Sequence, residues 1–149
     1  MGEAAKTLLN NTVKEWAKFT AERDKMKAVA TEVANVTKKC VMEHLMFLKT
    51  QNIAVECDNP DSLKVLGTAF QIEPLIDATF PHVKATVSLK CGGAARSILL
   101  NPNLTISAGG PPFPFDQLKK AIPETFVTNA AEFVCDAFLN VARSGGAKE

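Results

Sequence analysis

The chain has 149 residues, of which 46% are hydrophobic, and its 17 basic and 16 acidic side chains leave a formal net charge of +1. This composition excludes a largely disordered chain and a strongly basic surface for nucleic acid. No apolar run is long enough to cross a bilayer and no apolar leader is present, so we expect an intracellular protein that binds neither nucleic acid nor membranes.

Glycine and proline divide the chain into two differently built parts. Neither residue occurs between Gly2 and Pro60, whereas all eight prolines and seven of the eight glycines lie from Pro60 onwards. Because these residues break regular structure most strongly, residues 3–50 are predicted to form a long helix. At 1.5 Å per residue, such a helix is about 70 Å long.

Two local features leave the detail of this helix open. Thr12 and Glu15 form a capping-box pattern, which indicates a start for the regular helix at Thr12. Residues 20–25 are polar, and they form either a weakly packed length of one helix or a turn between two antiparallel helices. The absence of glycine and proline favours one helix.

An apolar stripe follows the second half of this helix at alternating steps of three and four residues. It consists of Met26, Val29, Val33, Val36, Cys40 and Phe47. The spacing is typical of a coiled-coil seam, although the same residues could pack on a sheet of this chain. A sheet of five-residue strands spans only about 20 Å and cannot cover the whole helix. We therefore predict a homo- or hetero-oligomer that assembles through the N-terminal helix.

From residue 51 onwards the pattern changes to the two-residue period of strands. Alternation is clearest over residues 83–91, where Val83, Val87 and Leu89 share one face. Shorter strands are predicted at residues 53–57, within residues 65–73, at 97–100 and at 104–107. These segments predict an antiparallel sheet of three or four strands with one buried face.

Two helices are predicted to close the fold. After a stiff proline-rich crossing at residues 109–114, Asp116 can cap a short helix that ends at Ile122. Pro123 is suited to the first turn of a longer helix that ends at Arg143. The phenylalanine-rich stripe of this second helix is the predicted cover of the sheet.

The predicted fold class is therefore α+β, with a long N-terminal helix and a C-terminal helix packed on one face of the sheet. We divide the chain into a helical element at residues 1–50, a globular head at residues 51–143 and a disordered tail at residues 144–149.

The four cysteines indicate neither a metal site nor a disulfide. Cys40, Cys57, Cys91 and Cys135 are widely spaced, and no Cys-x-x-Cys pair occurs. We expect four free thiols at apolar positions, in a reducing compartment. His44 lies one helical turn after Cys40, but two ligands form only half a site.

The remaining polar residues suggest no chemistry. A solvated turn accounts for the acidic residues Glu56, Asp58 and Asp61, which lack the spacing of a calcium-binding loop. No arrangement of a nucleophile with a base is visible. We therefore assign no catalytic, cofactor-binding or metal-binding residue, and we expect a protein that is not an enzyme.

The order of elements from about Thr37 to Arg143 resembles the RWD-type heads of coiled-coil kinetochore proteins. The likeness includes the stretch from Leu104 through Pro111 and Pro112 to Leu118, followed by the phenylalanine-rich final helix. The N-terminal helix takes the place of the family's coiled coil. The resemblance implies a dimeric scaffold with a role in chromosome segregation.

Two functions from different classes follow. The first is a non-catalytic scaffold that oligomerises through its N-terminal helix and binds other proteins through its head. The alternative is an apolar-ligand-binding domain with a pocket between the sheet and the C-terminal helix. That pocket would be lined by Phe70, Ile72, Val87, Leu89, Phe133 and Phe138. A tightly packed core is the other interpretation of the same six residues.

Overall fold

The computed structural model describes residues 2–145, and it begins with one continuous helix. Helix α1 spans Glu3–Thr50, as the absence of helix-breaking residues predicts. The predicted start at Thr12 is wrong, because the Thr12 hydroxyl donates a hydrogen bond to the Leu8 carbonyl within the helix, at 3.0 Å. The polar residues 20–25 are helical as well.

A small three-stranded antiparallel sheet follows α1. It contains β1 (Val55–Glu56), β2 (Lys64–Val65) and β3 (Thr68–Ala69), in that spatial order. Leu66 and Gly67 join β2 to β3, and both have positive φ angles, of 49° and 83°. Two consecutive positive φ angles are typical of the tight turns that connect hairpin strands.

The main sheet is a five-stranded antiparallel meander in which each strand pairs with the next along the chain. Its strands are β4 (Gln71–Thr79), β5 (His82–Cys91), β6 (Ala94–Leu100), β7 (Thr105–Ser107) and β8 (Phe113–Pro114). The sheet has more strands than the three or four predicted, and β4 is longer than predicted because it continues through Pro74. Proline is tolerated there because β4 is an edge strand. The predicted crossing at residues 109–114 supplies β8.

Two helices complete the chain. Helix α2 spans Gln117–Lys120 and helix α3 spans Glu124–Arg143, which starts directly after Pro123. Phe126 and Phe133 of α3 are fully buried. The α+β class and the packing of the C-terminal helix on the sheet are therefore confirmed.

Both long helices cover the same face of the main sheet. Helix α1 contacts β4, β5 and α3, and α3 also contacts β5 and β6. The buried residues of α1 begin at Phe19 and end at Leu45. This long contact arises because β4 and β5 have nine and ten residues and extend about 30 Å, rather than the 20 Å expected of short strands.

The packing corrects the predicted division of the chain at residue 50. The second half of α1 belongs to the core of the head, and only its first part lies outside. Within the predicted tail, Ser144 and Gly145 form a turn, and residues 146–149 lie outside the described part of the chain.

Candidate interaction surface

The first sixteen residues of α1 project beyond the head, and we name residues 3–18 the arm. Every residue of the arm is exposed except Ala5, which is half-buried, and Phe19 is the first fully buried position. The arm is about 24 Å long at 1.5 Å per residue. It is a helix whose side chains contact little of the molecule that carries it.

The arm nevertheless carries large apolar side chains along one face. Leu8, Leu9, Val13 and Trp16 are between 52% and 69% exposed. We name these four residues, together with Ala5 and Thr12, the arm stripe. The spacing places all six on one side of the helix, because steps of three and four residues keep to one face.

The arm stripe continues the core-facing side of α1. Steps of three or four residues lead from Trp16 along α1 to Leu45, and all but one of these positions are buried. They are Phe19, Arg23, Met26, Ala30, Ala34, Thr37, Val41 and Leu45, of which only Arg23 is partly exposed. The side of α1 that carries the stripe is therefore the side from which the head projects.

An aromatic cluster marks the point where the arm leaves the head. The turn between β4 and β5 carries Phe80 and Pro81, which are joined by a cis peptide bond. The Phe80 ring lies 5.8 Å from the Trp16 ring and 5.3 Å from the Phe19 ring, between centroids. Such ring contacts stabilise beyond the area that they bury. The cluster holds the base of the arm against the hairpin.

An open cleft lies beside this cluster. It has a volume of about 410 Å³, and Phe19, Phe80 and Pro81 form its apolar wall. Glu15, Lys18 and Glu22 of α1 form its polar rim. An apolar wall with a charged rim is typical of a surface that accepts another protein.

The structure places most of the predicted coiled-coil seam in the core of the same chain. Met26, Val29, Val33 and Cys40 are buried, Val36 is partly buried against the core, and Phe47 is 63% exposed. The four buried residues cannot contact a second chain while the sheet covers them. The stripe over residues 26–47 is thus mainly an intramolecular contact, and the exposed apolar face lies further towards the N-terminus.

The six residues of the predicted ligand pocket pack together instead. Val87, Leu89 and Phe133 are completely buried, and Ile72 is nearly so. Phe70 and Phe138 are partly buried against this core. The Phe70 and Phe133 rings meet edge to face, with 5.6 Å between centroids. Phe70 and Ile72 also line an open cleft of about 260 Å³ beside Lys38 and Asp61, but none of the other four residues lines it, so the six residues do not enclose that cleft together.

A polar cluster that the sequence reasoning missed joins α3 to the sheet. Arg96 of β6 donates hydrogen bonds to Asn129 at 2.9 Å and to Glu132 and Asp136 at 3.0 Å each. Burial acts to lower the pKa of Arg96, but the hydrogen bonds and charges of Asp136 and Glu132 outweigh it, so the pKa is raised. Because each bond is internal, the cluster anchors α3.

The cysteines and acidic residues show no sign of a metal centre. Cys40, Cys57 and Cys91 are buried as predicted, whereas Cys135 is exposed on α3, and all four are free. Asp61 is paired with Lys38 at 2.9 Å. Within residues 2–145, no group of three histidine, cysteine or acidic side chains is placed to hold a metal ion.

Comparisons with known proteins add no family. No protein-family model, curated protein or solved structure matches this chain. Among the helices of residues 2–145, none is both long and apolar enough to span a membrane.

Proposed function

We propose that this protein is a non-catalytic interaction scaffold that assembles through the arm and binds other proteins through its head. The observation that carries the proposal is the arm stripe, in which Leu9, Val13 and Trp16 are more than half exposed. Exposed apolar side chains at helical spacing are the pattern by which helices bind partners.

The size of the apolar surface supports an interface. Five apolar side chains of this surface are between 45% and 69% exposed, namely Leu8, Leu9, Val13, Trp16 and Phe80. Together they expose roughly 500 Å² of apolar surface, on a scale where a whole aromatic side chain has 150–250 Å². The largest apolar patch on a typical monomer is about 300–600 Å² and is often functional. A standard interface buries about 800 Å² on each partner, so this patch suffices for an apolar centre with a polar rim.

The head offers a second surface for other proteins. The face of the main sheet opposite the helices carries Leu75 and Leu99, which flank Thr86 on three adjacent strands. The two leucines are 49% and 52% exposed. This open face supports the docking role of the head. The chromosome-segregation setting stays a prediction that rests on the order of elements.

The test of assembly is the molar mass in solution across a range of protein concentrations. We expect the unmodified chain to exceed the mass of a monomer as its concentration rises into the micromolar range. Val13→Asp should keep the chain monomeric, because it places a charge within the arm stripe.

The matched control is Asn10→Asp, which adds the same charge on the side of the arm away from the stripe. This variant should assemble like the unmodified chain. An unmodified chain that stays monomeric at high micromolar concentration would contradict assembly through the arm, as would equal effects of the two substitutions.

A further inference from the structure

We infer that β4 accepts an extended segment of another protein along its open edge, with basic side chains opposite Glu73 and Asp77 and an apolar side chain opposite Leu75. The inference deepens the proposed function, because it names the kind of partner that the head binds, and it rests on that function. It follows from the backbone of β4, from the charge along its edge and from the order of its side chains.

The backbone of β4 has one side that pairs with no other strand. β4 is the edge strand of the main sheet and pairs only with β5. Pro74 has no N–H, so within the strand it lies at a position that faces away from β5. Backbone groups alternate between the two sides of a strand, so those of Ile76 and Ala78 also face away from β5. Among residues 2–145, no turn or loop carbonyl accepts a hydrogen bond from either N–H. These donors and their carbonyls can bond to an added strand.

Helix α1 packs on one face of β4 but leaves its edge accessible. Ile76 and Ala78 point towards the helices and are only half-buried, and Pro74 is exposed. The loop before β2 flanks the strand only at its start, where it shares a cleft with residues 71–73. The edge is therefore accessible over residues 74–79.

The edge is acidic on the face of the sheet away from the helices. Glu73 and Asp77 are exposed there, on either side of Leu75. Within residues 2–145, neither carboxylate forms an ion pair, although Lys84 of β5 lies opposite Asp77. Lys84 lies on the side of Asp77 away from the edge, so an added strand approaches the carboxylate from the other side. Opposite charges on neighbouring strands stabilise their pairing, so the edge favours a basic strand.

The order of side chains along the edge defines the partner further. Side chains on one face of a strand recur at every second residue. The order Glu73, Leu75, Asp77 therefore fits a segment with basic, apolar and basic side chains at alternate positions. This pattern reads the same in both directions, so parallel and antiparallel segments both satisfy it. Within this chain the pattern occurs only at residues 14–18, which are helical. The segment therefore belongs to another protein.

A second copy of the chain is disfavoured along the same edge. Antiparallel pairing of two copies of β4 places Asp77 of one copy opposite or diagonal to an acidic residue of the other, and like charges in such positions destabilise the pair. Pro74 also removes one donor from each copy. Charge and proline are the means by which edge strands are protected from self-association.

A synthetic peptide tests the inference with the unmodified chain. The probe is a capped peptide of sequence Thr-Lys-Thr-Val-Thr-Lys-Thr, and amide hydrogen exchange of the protein is followed by NMR as the peptide is added. We expect binding that slows exchange of the Ile76 and Ala78 amides and that weakens with added salt, because salt screens exposed charges. The same peptide with glutamate in place of both lysines should not bind.

Variants of the protein separate the contribution of charge from that of the backbone. Glu73→Gln combined with Asp77→Asn should weaken binding by about five-fold, the scale expected from two exposed ion pairs. The matched control is Asp116→Asn, which removes an exposed charge after β8, at the opposite edge of the sheet, and should leave binding unchanged.

Ala78→Pro removes one outward N–H at a position equivalent to that of Pro74. It should also weaken binding by about five-fold, since it deletes one intermolecular hydrogen bond. Circular dichroism of this variant should match that of the unmodified chain, because the N–H that it removes does not bond to β5.

The results separate this inference from the proposed function. No binding at millimolar peptide would overturn the inference, as would binding that leaves exchange at Ile76 and Ala78 unchanged. In the latter case, a loss of affinity in Leu99→Ala would assign docking to the open face of the sheet, and the proposed role of the head would stand. Assembly through the arm is measured by molar mass, and its failure would leave the inference about β4 intact.

Discussion

At the scale of single residues, burial separates four cysteines that look alike in the sequence. Cys40, Cys57 and Cys91 are buried and Cys135 is exposed. Burial raises the pKa of the Cys40 thiol to about 11, to which the negative charge of Glu43 adds, and burial alone raises the pKa of Cys91 to about 11. A thiol that stays protonated and buried is a poor nucleophile.

We therefore expect one fast-reacting thiol when the folded protein is treated with a disulfide reagent at neutral pH. Cys135→Ser should remove the fast phase and leave three slow thiols, which unfolding in urea exposes. A second fast thiol in the Cys135→Ser variant would contradict the burial of the other cysteines.

The raised pKa values of Cys40 and Cys91 determine how the free energy of unfolding changes with pH. The folded state favours the neutral thiols, so their contribution to the free energy of unfolding is complete below pH 9. It decreases as the pH rises towards about 11, because the unfolded chain ionises more readily. The decrease over this range should be smaller in Cys40→Val than in the unmodified chain, as measured by urea titration.

Among single residues, the buried face of β5 was predictable and the position of Cys135 was not. Val83, Val87 and Leu89 alternate with polar residues, and this pattern alone specifies which face is buried. Cys135 lies beside Phe133 and Val134 in the sequence, yet a helix places neighbouring residues on different faces. Its exposure follows from its place on α3, off the side that buries Phe126, Phe133 and Ala137.

At the scale of elements, α1 contains a matched pair of valines in different surroundings. Val33 is completely buried under the sheet, and Val13 is 64% exposed on the arm. We expect Val33→Asp to lower the free energy of unfolding by more than about 4 kcal/mol, because it buries a charge in the core. Val13→Asp should change the same quantity by less than about 0.5 kcal/mol, as exposed substitutions generally do.

Urea titrations followed by circular dichroism compare the two variants. They are run at a protein concentration low enough for the unmodified chain to be monomeric. Similar losses of stability in both variants would mean that the arm packs in the core, contrary to the boundary at Phe19.

The existence of α1 was predictable, but the partner of its apolar stripe was not. The absence of glycine and proline from residues 3–59 indicated one helix, and the structure confirms it. The steps over residues 26–47 fit a coiled coil and a helix on a sheet equally well. Whether the stripe packs on a second helix or on the sheet depends on the lengths of β4 and β5. The length of β4 was not predicted, because Pro74 lies within the strand.

At the scale of the whole molecule, the core depends on α3 far more than on the arm. Phe133 is completely buried between α3 and the sheet. Phe133→Ala should lower the free energy of unfolding by about 3–5 kcal/mol, the usual cost for a buried aromatic side chain. Deletion of residues 2–18 should cost much less, because it removes side chains that are exposed or, at Ala5, half-buried.

Both variants are compared with the unmodified chain by urea titration at equal, submicromolar concentration, so that association does not contribute. A deletion that is more costly than Phe133→Ala would show that the arm stabilises the head. A midpoint for the deletion only slightly below that of the unmodified chain would agree with an arm that contributes to the head only through contacts such as that of Trp16 with Phe80.

The order of elements in the molecule was predictable, and its candidate site was predictable only in part. Strand alternation and turn residues gave an antiparallel sheet followed by a closing helix. The apolar stripe predicted from the sequence covers residues 26–47 and does not include Leu9, Val13 or Trp16 of the arm. Phe80 was missed too, since only the fold brings the tip of a hairpin against Trp16.

The position of α1 at the start of the chain has a consequence for synthesis. A ribosome completes the whole apolar side of α1 before it makes the first residue of β4, and Cys91, the last residue of β5, follows Thr50 by forty-one residues. During that interval no sheet covers the apolar side of α1, so the arm stripe and the core-facing positions of residues 19–45 are exposed alike. Closure of the sheet over residues 19–45 then separates the two, because it buries the core-facing positions and leaves the arm stripe open to another chain.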